Sequence, residues 1–183
     1  MRRATAVASA ALLFGLAGCR PTPTVASRGG KSGKFIYRCG LFTATFPGQP
    51  DENKMRTTAG TETTLQTTAS YVAGRGVLYK VTATTLPVRS SAFSVSKRLE
   101  QARNELKRDL RASTVQQRST TYHGAPGREY KAVGLVATEW RRLFVVAAGP
   151  HPVVYEASVN DDEGKATDAD ANAFFTSLTF PTK

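Results

Sequence analysis

Two cysteines and two histidines have the widest chemical reach in this 183-residue chain. Cys19 and Cys39 could pair with each other, bind a metal or react as thiolates. His123 and His151 could titrate near neutral pH or ligate a metal. Each histidine sits in a Gly/Pro-rich turn, His123-Gly124-Ala125-Pro126-Gly127 and Gly149-Pro150-His151-Pro152. The intervening strands could bring both turns to one end of a sheet, with Glu129 or Glu156 adding a carboxylate. Solvated loop histidines are the plainer reading, and with so few ligands no structural zinc site is expected. Asp161-Asp162-Glu163-Gly164 lacks the alternating ligand spacing of a calcium loop and reads as a polar hairpin loop. No serine occupies a nucleophile-elbow sequence, and zinc-helix, phosphate-loop and dinucleotide fingerprints are absent. No cofactor, metal or catalytic residue is therefore expected, and the chain does not read as an enzyme.

Charge offers a different chemistry. The formal net charge is +11. Lys97, Arg103, Lys107, Arg108 and Arg111 would spread around one side of a helix, opposite an apolar stripe. They form a tentative anion-facing surface for lipid head groups or an acidic envelope protein. A solvated helix face is the alternative. Trp140, flanked by Glu139, Arg141 and Arg142, suits either a ligand patch or an inward-facing strand end with Arg141 on the opposite face.

The elements that must position these residues follow from periodicity. Phe35, Tyr37 and Cys39 alternate, then Phe42, Ala44 and Phe46, which marks strand until Pro47-Gly48. Residues 61–73, a turn at Gly74-Arg75-Gly76, and Val77, Tyr79, Val81 and Ala83 read as a hairpin. Val95, Leu99, Ala102, Leu106 and Leu110 then recur every three or four residues, predicting an amphipathic helix over 95–112 with Ser94 as N-cap. Glu100 with Arg103, and Glu105 with Arg108, are spaced to pair on it. Strands are predicted over 114–122, 128–137, 139–148 and 153–159. Residues 143–148 are apolar at every position, as in a strand covered on both faces. Thr167 or Asp168 would cap a short helix carrying Ala173, Phe174 and Phe175. The expected class is α+β: an antiparallel sheet, one long amphipathic helix and a short C-terminal helix.

The first residues have a different character. Met1-Arg2-Arg3 precedes an uncharged, mostly apolar run from Ala4 to Leu16. The run is too short to cross a bilayer, which takes roughly 20 residues, and has the form of a signal peptide. It ends Leu16-Ala17-Gly18-Cys19. This resembles the lipobox of bacterial lipoproteins. The resemblance implies cleavage before Cys19 and acylation of Cys19, with palmitate among the expected chains. An ordinary signal peptide with Cys19 free to pair with Cys39 is the alternative. If Cys19 is acylated, Cys39 is a lone thiol, buried or reactive, and its apolar neighbours favour burial. Two or three acyl chains would hold the protein almost permanently, since one alone binds marginally. Arg20 follows, where an Asp would signal inner-membrane retention in enteric bacteria. Its absence points to the periplasmic face of the outer membrane, or to the outer leaflet of the cytoplasmic membrane where no outer membrane exists.

Three segments result. Residues 1–18 form the signal peptide, 19–34 the lipidated cysteine with a flexible basic tether, and 35–183 a single globular domain. Residues 20–34 are rich in Pro, Thr, Ser, Gly and Lys, with Val25 the one large apolar residue. Removing Arg2 and Arg3 lowers the net charge to +9. Outside the cytoplasm such a chain meets anionic lipid and envelope polymers rather than nucleic acid.

The domain resembles the PsbP-like fold, an α-β-α sandwich, at three places. These are LFTATFPGQP at Leu41 to Pro50, the Gly-x-Pro-Gly-Arg-Glu unit at Gly124 to Glu129, and FFTSL at Phe174 to Leu178. That family's plant members are non-catalytic accessory proteins of photosystem II. The resemblance implies the fold and a non-enzyme; the photosynthetic role does not carry over. The expected function is a membrane-anchored envelope lipoprotein acting as a binding or accessory module. Alternatives are an envelope enzyme with an unrecognised site, or lipid or cell-wall-polymer binding through the basic face.

Overall fold

The computed structural model describes residues 20–23, 33–74, 76–147 and 149–181. The expected signal peptide, Cys19 and most of the expected tether lie outside the described residues. Strands β4 (Asp51–Ala59), β5 (Glu62–Ala73), β6 (Val77–Thr85), β7 (Val115–Tyr122), β8 (Ala125–Val133), β9 (Thr138–Val146) and β10 (Val153–Asp161) form one antiparallel sheet. Its order is β4-β5-β6-β10-β9-β8-β7. A smaller sheet runs β1 (Arg20–Pro23), β2 (Phe35–Arg38), β3 (Thr43–Phe46). Helices α1 (Val95–Asp109) and α2 (Asp168–Thr176) complete the α+β fold.

Alternation along the strands divides the large sheet into two apolar faces. On one, Leu143, Val145, Val154, Tyr130 and Ala132 pack against Leu99, Ala102, Leu106 and Leu110. On the other, Tyr79, Phe144, Tyr155, Ala157 and Val159 pack against Phe174 and Phe175, with Tyr37, Phe42 and Phe46 of the small sheet. The two helices therefore cover opposite faces. β9 carries apolar side chains into both clusters, as its sequence predicts.

The helices begin where capping chemistry places them. The Ser94 hydroxyl accepts from Lys97 N at 3.3 Å. Thr167 and Asp170 form a reciprocal capping box on α2. α1 ends at Asp109, short of the predicted 112. Leu110 is its C-cap, and Arg111 turns left-handed with φ of 50°. The predicted Glu105–Arg108 pair does not form. Glu105 instead meets Arg98 and Arg108 meets Asp109, while Glu100–Arg103 pairs at 2.9 Å.

Three further expectations are corrected. Arg20–Pro23, expected in the flexible tether, pairs with β2 in the register Arg20↔Arg38 to Pro23↔Phe35. β1 is an edge strand, which tolerates the missing N–H groups of Pro21 and Pro23. β4 was not predicted; it is a polar edge strand whose residues are almost all exposed, so no apolar alternation marks it. The turn expected over 123–127 is only His123-Gly124, with φ of 46° and 83°. Two residues with positive φ fit the twist of a tight hairpin. Ala125, Pro126 and Gly127 already belong to β8.

Gly127 is needed there for packing. A Cβ on it would lie 2.4 Å from the Phe144 ring and 2.5 Å from Leu143 O on the neighbouring strand. Gly127→Ala is expected to lower the unfolding free energy by about 1–3 kcal/mol, read from urea denaturation. An unchanged midpoint would refute this close approach.

Candidate functional site

Helix α2 has only nine residues and covers part of its sheet face. The β7–β8 side beyond it stays open, and cross-strand rows floor a groove of about 340 Å³ there. One row is Gln116, Lys131 and Trp140; the next is Arg118, Glu129 and Arg142. Asp168, Asn172 and Phe175, at helical spacings of four and three, form the wall.

Both carboxylates of the groove are paired with cations. Asp168 Oδ1 accepts from Lys131 Nζ at 2.6 Å and also from Trp140 Nε1. These two donors, Lys131 first, hold the Asp168 carboxyl below its usual range. Glu129 sits between Arg118 and Arg142 and bonds both. Burial pulls the Arg142 guanidinium below its usual value despite the Glu129 partner. Arg142 also lies 5.0 Å over the Phe175 ring, and its Nε is buried with no hydrogen-bond partner. Lys131 Nζ lies 5.2 Å from the Trp140 ring centroid. The groove thus offers fixed ions of both signs, three side-chain amides or amide neighbours at its edge (Gln116, Gln117, Asn172) and an aromatic wall.

The opposite face holds a second charged cluster under α1. Arg141 Nε donates to Glu139 Oε1 at 2.8 Å and lies 3.6 Å from Glu156 Oε1. Asn160 Nδ2 donates to Glu139 Oε2 at 3.2 Å. Burial works against the Arg141 charge, but Glu156 and Glu139 outweigh it and raise its pKa. This cluster is structural: a charge can be buried here only because opposite charges are built beside it. It also fixes the orientation expected from sequence, with Trp140 turned to one face and Arg141 to the other.

The tentative basic helix surface lies on α1 and just past its end. Lys97, Lys107 and Arg108 are exposed on α1, with Arg108 bound to Asp109. Arg103 lies beside the apolar stripe, half-buried and bonded to Glu100. Arg111 is past the helix end in a left-handed turn. Four of the five are therefore exposed, and Arg103 is half-buried. His123 and His151 do reach the same end of the sheet, since the β7–β8 and β9–β10 turns both lie there. His151 Nδ1 is 3.3 Å from Val88 O, while His123 stacks edge-on with Tyr122. Glu129 and Glu156 are held by arginines instead. Among the described residues no group of three or more His, Cys, Asp or Glu could hold a metal. Asp161 is nearly fully buried and organises its loop, accepting from Glu163 N and Ala166 N. Cys39 is half-buried against the core.

Sequence reasoning reached Trp140 but missed its partners. The signal was the hairpin register, which aligns Arg118, Glu129 and Arg142 on one face. No family model matches the chain, and no curated protein matches it.

Asp168 gives a pH test. Its lowered pKa means that the Lys131 and Trp140 contacts are fully present above the ordinary carboxylate value of about 3.9 and are lost as pH falls through the lowered pKa. Trp140 is the one tryptophan. Its emission is expected to stay constant down to that ordinary value and change below it. Asp168→Asn should abolish the acid step; an identical step in the variant would refute the contact.

Proposed function

We propose that this chain is a lipid-anchored module of the bacterial cell envelope that binds a hydroxyl-rich polar ligand in the groove beside α2. One observation carries the anchoring: a charged start, an apolar run, two small residues and Cys19 fall in order in Met1 to Cys19. On this reading Cys19 is acylated, with palmitate among its chains. The site is the periplasmic face of an outer membrane, or the outer leaflet of the cytoplasmic membrane where there is no outer one.

The charge pairing of the groove supports binding rather than catalysis. A general acid or base works best with a pKa near the working pH. Asp168 is instead held low, and Glu129 is locked between two arginines. Side-chain amides, ions of both signs and an aromatic wall suit a ligand that both donates and accepts, such as the saccharide part of an envelope polymer. The placement of α1 and α2 on opposite sheet faces, together with the LFTATFPGQP, Gly124 to Glu129 and FFTSL segments, supports a PsbP-like sandwich as the fold.

Two measurements test the reading. Cells fed labelled palmitate should label the wild-type protein and not Cys19→Ala, which should leave the membrane fraction; equal labelling would sink the anchor. Titration with a soluble disaccharide-peptide fragment of the cell wall should shift Trp140 emission saturably. Gln116→Ala and Asn172→Ala should each weaken that binding about fivefold, the worth of one hydrogen bond. No saturable change with the wild-type protein would remove this ligand class.

A further inference from the structure

The register of the small sheet places the exit of the anchor. Arg20 pairs with Arg38, so the backbone leading to Cys19 leaves beside the β2–β3 turn. That turn lies at a defined end of the large sheet. Thr43 pairs with Thr179, and the next residue, Phe180, stacks on Tyr155 at 4.2 Å and on Tyr122. Tyr155 is near the start of β10, and Tyr122 ends β7. His123 and His151 sit at this same end. The loop before α1 joins it, since Ser90 N donates to Pro150 O at 3.1 Å.

The charge at this end is nearly all of one sign. Arg38, Arg89 and Lys97 are exposed there, and the turns carrying His123 and His151 lie at the same end. Arg56 and Glu62 lie on the β4–β5 hairpin, which reaches past Thr85, the last residue of β6. Glu62 is an exposed acid at this end; Glu100, in the second turn of α1, is already engaged by Arg103 and Arg128. The far end is of mixed sign, with Asp109, Asp162 and Glu163 beside Lys107, Arg111 and Lys165. An apolar tip projects there: Leu135 is 82 % exposed, and its amide bonds Leu110 O at the end of α1.

We infer that the domain stands on the membrane by its Arg38–Arg89–Lys97 end, against anionic head groups, with the Leu135 tip pointing away. This rests on the lipid anchoring proposed above. Acylation at Cys19 would bring this end to the bilayer, and a surface of one sign would hold it flat there, because basic residues near anionic lipid are attracted within a Debye length.

The test uses the full chain, expressed with its leader, purified in mild detergent and reconstituted into phosphatidylcholine vesicles with or without phosphatidylglycerol. A fluorophore is placed at Gly40→Cys or Leu135→Cys, each with Cys39→Ser. Gly40 is exposed, and a Cβ there meets nothing within 4 Å. Nitroxide head-group lipid should quench the probe at 40 and spare the one at 135, and phosphatidylglycerol should deepen the difference. Arg38→Glu/Arg89→Glu/Lys97→Glu, with folding checked by circular dichroism, should erase the phosphatidylglycerol effect. Quenching at 135 equal to or above that at 40 would overturn the orientation. Insensitivity to phosphatidylglycerol in the wild-type protein would overturn the role of charge. Failure to enter vesicles of either composition would overturn the anchoring reading and the orientation with it.

Discussion

The fold depends on β9 and β10 being covered on both sides. Leu143, Val145 and Val154 face one way, while Phe144, Tyr155, Ala157 and Val159 face the other. Neither set can be left in water, since each large side chain contributes about 1.5–3 kcal/mol by burial. Two separate covers are therefore required, and the chain supplies them by different means. α1 brings a stripe of three buried apolar residues, extended by its C-cap Leu110. The other face takes two aromatic residues from α2 and completes its cover with the small sheet and Phe180. The two charged side chains buried on β9, Glu139 and Arg141, obey the same constraint by pairing with each other, and Arg141 also with Glu156. Removing either acid would leave a buried cation partly uncompensated.

The groove follows from the unequal length of these covers. α1 has fifteen residues and α2 nine. α2 reaches β10 and β9 but leaves the same face of β7 and β8 open. The residues of that face change accordingly, from Phe144 and Tyr155 in the centre to Gln116, Arg118, Glu129 and Lys131 at the margin. A polar floor next to an aromatic helix face is what a short helix on a wide sheet produces.

Legibility in the sequence tracked how strongly burial imprinted each segment. The α1 stripe, its Ser94 cap and the two-faced β9 could all be read, because burial on one face or both leaves a period or its absence. β4 could not. Its residues Asp51 to Ala59 are polar on both sides, and its only partner is β5, so backbone pairing alone defines it. The Gly124 to Gly127 unit was misplaced because Pro and Gly mark turns in general. Here Pro126 sits in a strand and Gly127 makes room for Phe144. At the candidate site, Trp140 and its orientation were legible from alternation. Asp168 was legible as a helix-start acid, but its contact with Trp140 spans 28 residues and depends on how α2 lies across the sheet. The setting of the five basic residues of the helix surface was only partly legible, for a local reason. Leu110 ends the helix before Arg111, and Arg103 flanks Leu99 and Leu106 on the buried side.

The two proposals bear on one another through the direction of the strands. The row Gln116, Lys131 and Trp140 lies beside Val133 and Thr138, at the end of the sheet that carries the Leu135 tip. The β2–β3 turn and Arg38 lie at the other end, a nine-residue strand away, or about 30 Å. In the proposed orientation the groove therefore stands clear of head groups and opens to the envelope space. A ligand would not compete with lipid for Lys131 or Arg118. The pairing of Arg20–Pro23 with β2 matters for the same reason. If Cys19 is acylated as proposed, forming this pairing would keep the anchor short and the domain upright, and releasing it would let the groove reach the bilayer. On these two proposals, the small strand would set the distance between membrane and groove.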